Sequence, residues 1–541
     1  MIIKRLFLII GIIGMFSLSA QEALLSTTEN YYDFLALDGF TERPYLNYRT
    51  LSDSKWTIGD ESGNIWAGNN LGTIRLITDK VYFRIYGPEL FNSFNTAAPY
   101  GQNDGALWQG RGLNSSLTGG ARLEGWGFEL TVKPQIVFSQ NMAFDLMPSA
   151  YDSTYGYIWG YAPNIGVDSP QRFGNAPFFD FSWGDSEIRY SWKTFTVGFG
   201  TQSPWTGPGH KNSLIHSNNA SPYPKLDIGA RRTPVTIMGW YAGDVEARLW
   251  AGYLSESKYF DTDKTNNHNL ISGLSVAYAP GFLPGLTLGA NRTFLAKWNT
   301  DNFIYIPELF LVSLSNSKQV QKQEDQRASF GFSYLLPQAG SEFYGEIGID
   351  DYVAGKNGYI RYPFHTMVYS GGLRKSFAIL GEKHIRGEMS LEWTTLELSQ
   401  DFQFQWPSTF YGHHQITQGY TNEGQWLGPG IGTGGNSQYL GFKVFYPSGD
   451  TNVFLYRINP DNDFLYKNSI GTLSTATQTE TSDDFYRFKA YWSMGVESLY
   501  HLNKNANLNA GFVYTLILNP EYVQWTEMKS FQFIAGAQFN F

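Results

Sequence analysis

Apolar and polar residues alternate with a period of two through most of the chain, and the alternation is cleanest where the chain stops. In the last eleven residues, Phe531, Phe533, Ala535, Ala537, Phe539 and Phe541 fall on one face of a strand. Gln532, Gly536, Gln538, Asn540 and a lone apolar Ile534 fall on the other. In water, four phenylalanines on a terminal strand would template aggregation. In a membrane barrel the same face meets lipid and the amides face the lumen. The pattern predicts an all-β fold, a transmembrane antiparallel β-barrel in the outer membrane.

Similar runs are separated by connections that are short and long by turns. Short turns are expected near 124–125, 191–192, 241–243, 280–284, 336–340, 380–385, 447–450 and 503–507, rich in the Gly, Pro, Asn and Asp that tight hairpins prefer. Long connections are expected at 87–114, 139–183, 201–230, 255–268, 299–326, 350–363, 399–437, 459–484 and 519–528. With the final strand descending to the periplasm, the short turns are periplasmic and the long loops extracellular, and the count is about 18 strands. Residues 78–80 leave room for one more hairpin.

The barrel is expected over 72–541. Before it, 21–71 alternate poorly; 30–37 are apolar at helical spacing, and Thr27 and Thr28 offer caps before Glu29, which predicts a small helical periplasmic segment. Lys4-Arg5, an apolar run over 6–16 and Ser17-Leu18-Ser19-Ala20 predict a signal peptide over 1–20.

Composition narrows the function. The chain is 17% aromatic and only 16% charged, and no later stretch approaches the ~18 apolar residues of a membrane helix. It has no cysteine, which excludes a lipoprotein anchor, disulfides and thiolate metal sites. A net charge of -9 gives no basic stripe for nucleic acid.

One stretch stands out, Gly198-Phe-Gly-Thr-Gln-Ser-Pro-Trp205-Thr-Gly207-Pro208-Gly209-His-Lys-Asn-Ser213, continuing to Asn218-Asn219-Ala220 and Pro222-Tyr-Pro224. Gly and Pro so close together fix an irregular backbone, which inside a barrel must be shielded from lipid. With Asp168 to Gly174, Gly184 to Arg189, Glu346 to Asp351 and Gly419 to Gly430, it resembles the Wzi-type capsule assembly family, most strongly over 168–224. The resemblance implies a barrel of about 18 strands with a periplasmic helical element, acting as a surface lectin for capsular polysaccharide; related barrels of gliding or surface-secreting bacteria share it. Thr206 departs from the family, which has a second aromatic there, and so do the long loops.

A second Trp-x-Gly-Pro-Gly spans Trp426, Gly428 and Gly430, near Tyr411, His413 and Tyr420. Flat rings suit the C–H faces of a pyranose, and amides suit its hydroxyls. Trp205, Gly207, Pro208, Gly209, Ser213, Asn218, Asn219, Tyr411, His413, Tyr420, Trp426, Gly428 and Gly430 are therefore candidates for polysaccharide contact or for a lumen-filling plug, and buried polar loops satisfy themselves before they bind anything. His413-His414 lacks a third metal ligand at a suitable spacing, and Glu346, Asp350 and Asp351 read as a loop or cation cap rather than a hydrolytic pair. No nucleophile elbow or phosphate loop is present. The expected function is a non-enzymatic barrel without cofactor or metal that anchors surface polysaccharide. Its expected partners are that polysaccharide, outer-membrane lipid and the barrel-assembly machinery, to which a terminal Phe is the recognition signal. The alternatives are a substrate channel, or a gliding or secretion accessory that docks other envelope proteins.

Overall fold

In the computed structural model, which describes residues 27–49, 56, 58, 61–69, 75–78, 80–147, 167–261, 263–310, 324–350, 367–379, 384–397, 410–413, 415–469 and 486–541, the alternating runs pair until no edge remains. Eighteen antiparallel strands close the barrel. In chain order they are β1 (Val81–Asn95), β2 (Gly112–Gly125), β3 (Phe128–Val132 with Gln135–Ser139), β4 (Phe178–Ser182 with Glu187–Trp192), β5 (Phe195–Gly200) and β6 (Lys225–Ile237). There follow β7 (Trp240–Ser255), β8 (His268–Pro280), β9 (Leu286–Lys297), β10 (Glu324–Leu336), β11 (Ser341–Asp350) and β12 (Met367–Ala378). The wall ends with β13 (Arg386–Thr395), β14 (Asn436–Tyr446), β15 (Gly449–Asn459), β16 (Ala490–Asn503), β17 (Ala506–Leu518) and β18 (Glu527–Asn540), and β18 closes onto β1 with Phe533 opposite Phe94. A short strand, Arg75–Thr78, forms the extra hairpin with β1. The signal peptide, His414 and Asp351 lie outside the described residues.

Closure satisfies every strand edge within the wall, and alternation sorts the side chains. On β18, Phe531 and Phe533 are exposed outside while Gln532, Gln538 and Asn540 are buried inside; Phe541, just beyond the strand, is also exposed. Ile534 packs inward beside Phe91, Leu107 and Val137. Ala537, expected outside, is buried next to the register slip between β18 and β1. Aromatics ring both rims. Trp126, Trp192, Trp240 and Phe282 project at the short-turn end, and Trp298, Trp492 and Trp525 near the long loops. An apolar outer face between two aromatic girdles is the surface of an outer-membrane barrel.

Three local expectations are corrected. The turn expected at 241–243 lies at Met238-Gly239, where both residues are left-handed (φ 51° and 83°) as a two-residue primed turn requires, and a register shift beside Val235 moves the pairing. The connection expected from Gly87 begins after Asn95, because Gly87-Pro88 is a bulge in β1 and not its end: the ladder resumes at Glu89. The helix begins at Thr27, so that residue is its first turn and not a cap.

This helix, α1 (Thr27–Leu37), lodges in the short-turn mouth. Tyr31 stacks on Trp66 and Phe34 on Phe445, each at 4.0 Å between ring centres, and Trp66 Nε1 donates to the Tyr446 carbonyl at 2.9 Å.

Candidate functional site

The chain between β5 and β6 turns into the lumen instead of over the rim. Trp205 and Thr206 pair with Arg49 and Tyr48 as a small antiparallel bridge. Arg49 Nη2 donates to the carbonyls of Gly207 (3.0 Å) and Gly209 (2.7 Å), and its guanidinium lies 5.5 Å from the Trp205 ring centre. Trp205 Nε1 donates to the Gly209 carbonyl (2.9 Å) and Ser213 Oγ to that of Thr206 (2.5 Å). Gly207 has φ 83°, and a Cβ there would stand 2.6 Å from a Glu346 carboxylate oxygen; Pro208 abuts Gly331 of the wall. Glycine is thus required where the motif meets β11.

The two Trp-x-Gly-Pro-Gly loops interlock. Asn218 Nδ2 donates to the Asn103 carbonyl (2.9 Å), Asn219 Nδ2 to that of Trp426 (3.0 Å), and Ser217 Oγ to that of Gly428 (2.7 Å). A Cβ on Gly428 would fall 2.4 Å from the Tyr411 hydroxyl, and one on Gly430 2.4 Å from Asn219 Oδ1, so bare backbone is what lets the loops touch. Tyr411 stacks on Tyr420 at 5.6 Å, with the Arg327 guanidinium 4.4 Å from the Tyr420 ring centre. His413 Nδ1 accepts the amides of Gln415 and Ile416, closing a turn. The structure brings these candidates together, with His413 at the margin. Trp205, Tyr411 and Tyr420 are 0% exposed and Trp426 7%; their rings pack on protein.

Wall carboxylates hold the loops by their backbones, a device sequence reasoning missed. Glu392 on β13 accepts the successive amides of His210 (2.8 Å), Lys211 (2.9 Å) and Asn212 (2.7 Å). Glu246 on β7 does the same for Leu46, Asn47 and Tyr48 (2.9, 2.9 and 2.8 Å). Three convergent N–H groups form a concave nest for an anion. The available signal was an acidic residue at an inward strand position. Glu346, read as part of an acidic cluster, accepts the Ser329 hydroxyl beneath the plug (2.5 Å), and Asp350 is buried opposite Arg327.

A second knot joins helix, plug and wall. Arg43 bridges Asp33 of α1 (2.7 Å) and Glu342 of β11 (2.5 Å), while Arg374 of β12 reaches Asp33 (2.5 Å), Glu342 (3.1 Å) and Glu388 (2.7 Å). Burial pushes the Asp33 carboxyl up, but Arg43 and Arg374 outweigh it and hold it well below the usual carboxylate range. In the loops, burial pushes His216 down to about 3. Its ring is neutral, with Nδ1–H donating to the Ser217 carbonyl (2.9 Å) and Nε2 accepting the Tyr223 hydroxyl (2.7 Å), as the network assigns it. Asp168, whose carboxylate accepts both the amide and the hydroxyl of Ser257 (each 2.6 Å), is raised by burial to about 7.

The plug leaves a cavity of about 480 Å³ along the inner face of β14 to β18 and β1, edged by Tyr100, Tyr439, Tyr456, Lys211, Asn452 and Glu497. A smaller one of about 180 Å³ shares Tyr439, Lys211 and Asn452 with it and reaches Asp33 and Arg374. Tyr439, Asn452, Tyr456 and Glu497 were legible as inward strand positions, but alternation does not say which stretch of wall the plug leaves bare. Among the described residues, no group of His, Asp and Glu is placed to hold a metal ion.

Comparison with known proteins decides the family. The family described as capsule assembly protein Wzi matches residues 87–523. The chain belongs to the Wzi family of capsule assembly proteins. Curated proteins give no sequence match. Among solved structures, the chain is similar to one described as "Wzi, an outer membrane protein involved in group 1 capsule assembly in Escherichia coli, is a carbohydrate binding beta-barrel", with TM-score 0.60 and 14% identity over 97% of this chain and 100% of that one. Pseudomonas putida OprB (TM-score 0.36, 11% identity, 85% and 94% covered) and Acinetobacter baumannii OccAB1 (0.37, 11%, 84% and 96%) are more distant. The match to Wzi supports the fold. Both descriptions name capsule assembly, and neither lends support to the gliding alternative.

Proposed function

We propose that this barrel binds capsular or other surface polysaccharide and holds it at the outer membrane, without catalysis. Membership of the Wzi family supports the cargo. The observation that carries the reading is the filled lumen: two loops locked together by side chains and bare glycines, with a helix in the opposite mouth, favour binding over conduction. Lipid around the girdled wall and the assembly machinery at the terminal Phe541 are the remaining partners of this reading. The test is retention of the host's purified surface polysaccharide by the detergent-solubilised barrel on a column. Retention, released by fragments of the same polymer, is expected; free passage of the polymer together with a porin-sized conductance in planar bilayers would replace this reading by the channel.

A further inference from the structure

The 480 Å³ cavity lies within the range of ligand sites and has the form of a seam. Five successive inward positions of β15, Asp450, Asn452, Phe454, Tyr456 and Ile458, all line it, with Val453 and Leu455 between them exposed on the outer face. Eight residue steps span roughly 27 Å along a strand, so the seam follows most of the wall's height. Rings and amides both line it. Tyr439 and Tyr456 meet at 5.7 Å edge to face, the Lys211 ammonium lies 5.6 Å from each ring centre, and the Asn509 amide oxygen has no hydrogen-bond partner among the described residues. Glu497 points inward yet is exposed, which marks the space as wet. Lys211 and Lys443 are outnumbered by Asp104, Asp450 and Glu497, and Lys443 already faces Asp450 at 3.8 Å.

From this geometry we infer that the seam between plug and β14–β18 is an internal saccharide site that takes a short stretch of neutral hexopyranose chain lengthwise, in preference to a polyanionic one. The inference rests on the polysaccharide reading above and moves the contact from the interlocked tryptophans to the bare wall. The half-buried Tyr439 ring would pack on a sugar face, with the buried Tyr456 fixing it edge to face, while the side chains of Asn452, Asn509 and Glu497 meet hydroxyls.

The chain has no cysteine, so Asn452→Cys supplies a single thiol inside the seam. The folded barrel in detergent is treated with a small water-soluble maleimide, alone and with neutral oligosaccharides of two to four hexoses cut from the host's surface polysaccharide. Labelling slowed at least fivefold is expected, with no slowing at a Thr265→Cys control on an outer loop. Tyr439→Ala with Tyr456→Ala should weaken binding of those fragments at least tenfold, and the Phe pair should retain most of it. Fragments rich in uronic acid should protect less. If the unsubstituted barrel binds the polymer while the thiol is unprotected and the Ala pair binds normally, or if uronate fragments protect better, the seam site is overturned and the polysaccharide reading stands. If the unsubstituted barrel binds neither polymer nor fragments, both fall.

Discussion

Single atoms decide how the plug closes. Gly430 has room for hydrogen only, since a methyl group would meet Asn219 Oδ1, so Gly430→Ala should cost about 1–3 kcal/mol by overpacking. The check is the temperature at which the folded band on detergent gels gives way to the unfolded one; an unchanged midpoint would mean that the loops do not touch there. Asp168 gives a pH signature. Its carboxyl is raised to about 7 by burial, against a usual value of about 3.9, although Ser257 donates twice to the charged form. A raised acid contributes stability that is fully present below pH ~4 and lost as pH rises through about 7. Asp168→Asn should therefore flatten the decline in unfolding midpoint between pH 5 and pH 8, and an identical decline in the variant would show that the carboxylate ionises freely.

At the scale of elements, α1 is held to the wall by charge as well as by aromatic stacking. Asp33→Asn leaves Arg43 and Arg374 with one carboxylate fewer in a buried network, a change of about 3–5 kcal/mol when a buried pair is broken. Protease added to the purified variant should clip the helix while the barrel stays folded; a helix as protected as before would make the aromatic stack on Phe445 sufficient by itself. The strands were legible because the period of two is imposed by lipid on one side and water on the other, as Gln532 between Phe531 and Phe533 shows. Their number followed from the alternation of short and long connections. The bulge at Gly87-Pro88 and the turn at Met238-Gly239 were not legible, since a bulge shifts pairing without changing composition. The two Trp-x-Gly-Pro-Gly loops stood out by their turn formers, yet their depth did not. Burial of Trp205 depends on Arg49, Glu346 and Glu392, which are 156, 141 and 187 positions away in sequence.

Over the whole molecule, plug, helix and wall form one interlocked body that leaves a seam against β14–β18. Trp205→Ala with Trp426→Ala should then lower retention of surface polysaccharide chiefly through stability. Each buried Trp→Ala change costs about 3–5 kcal/mol, more than the ~1 kcal/mol expected of one lost stacking contact. A pair that assembles with an unchanged unfolding midpoint but sheds polysaccharide would return the contact to the tryptophans. In the proposed role the barrel holds the polymer and does not make it. The most direct test is to delete the gene and measure polysaccharide bound to cells and free in the medium. Total polymer is expected to stay unchanged while the bound share falls and the free share rises, both restored by the intact gene. Unchanged cell-bound polymer, or loss of the polymer from both fractions, would contradict that role.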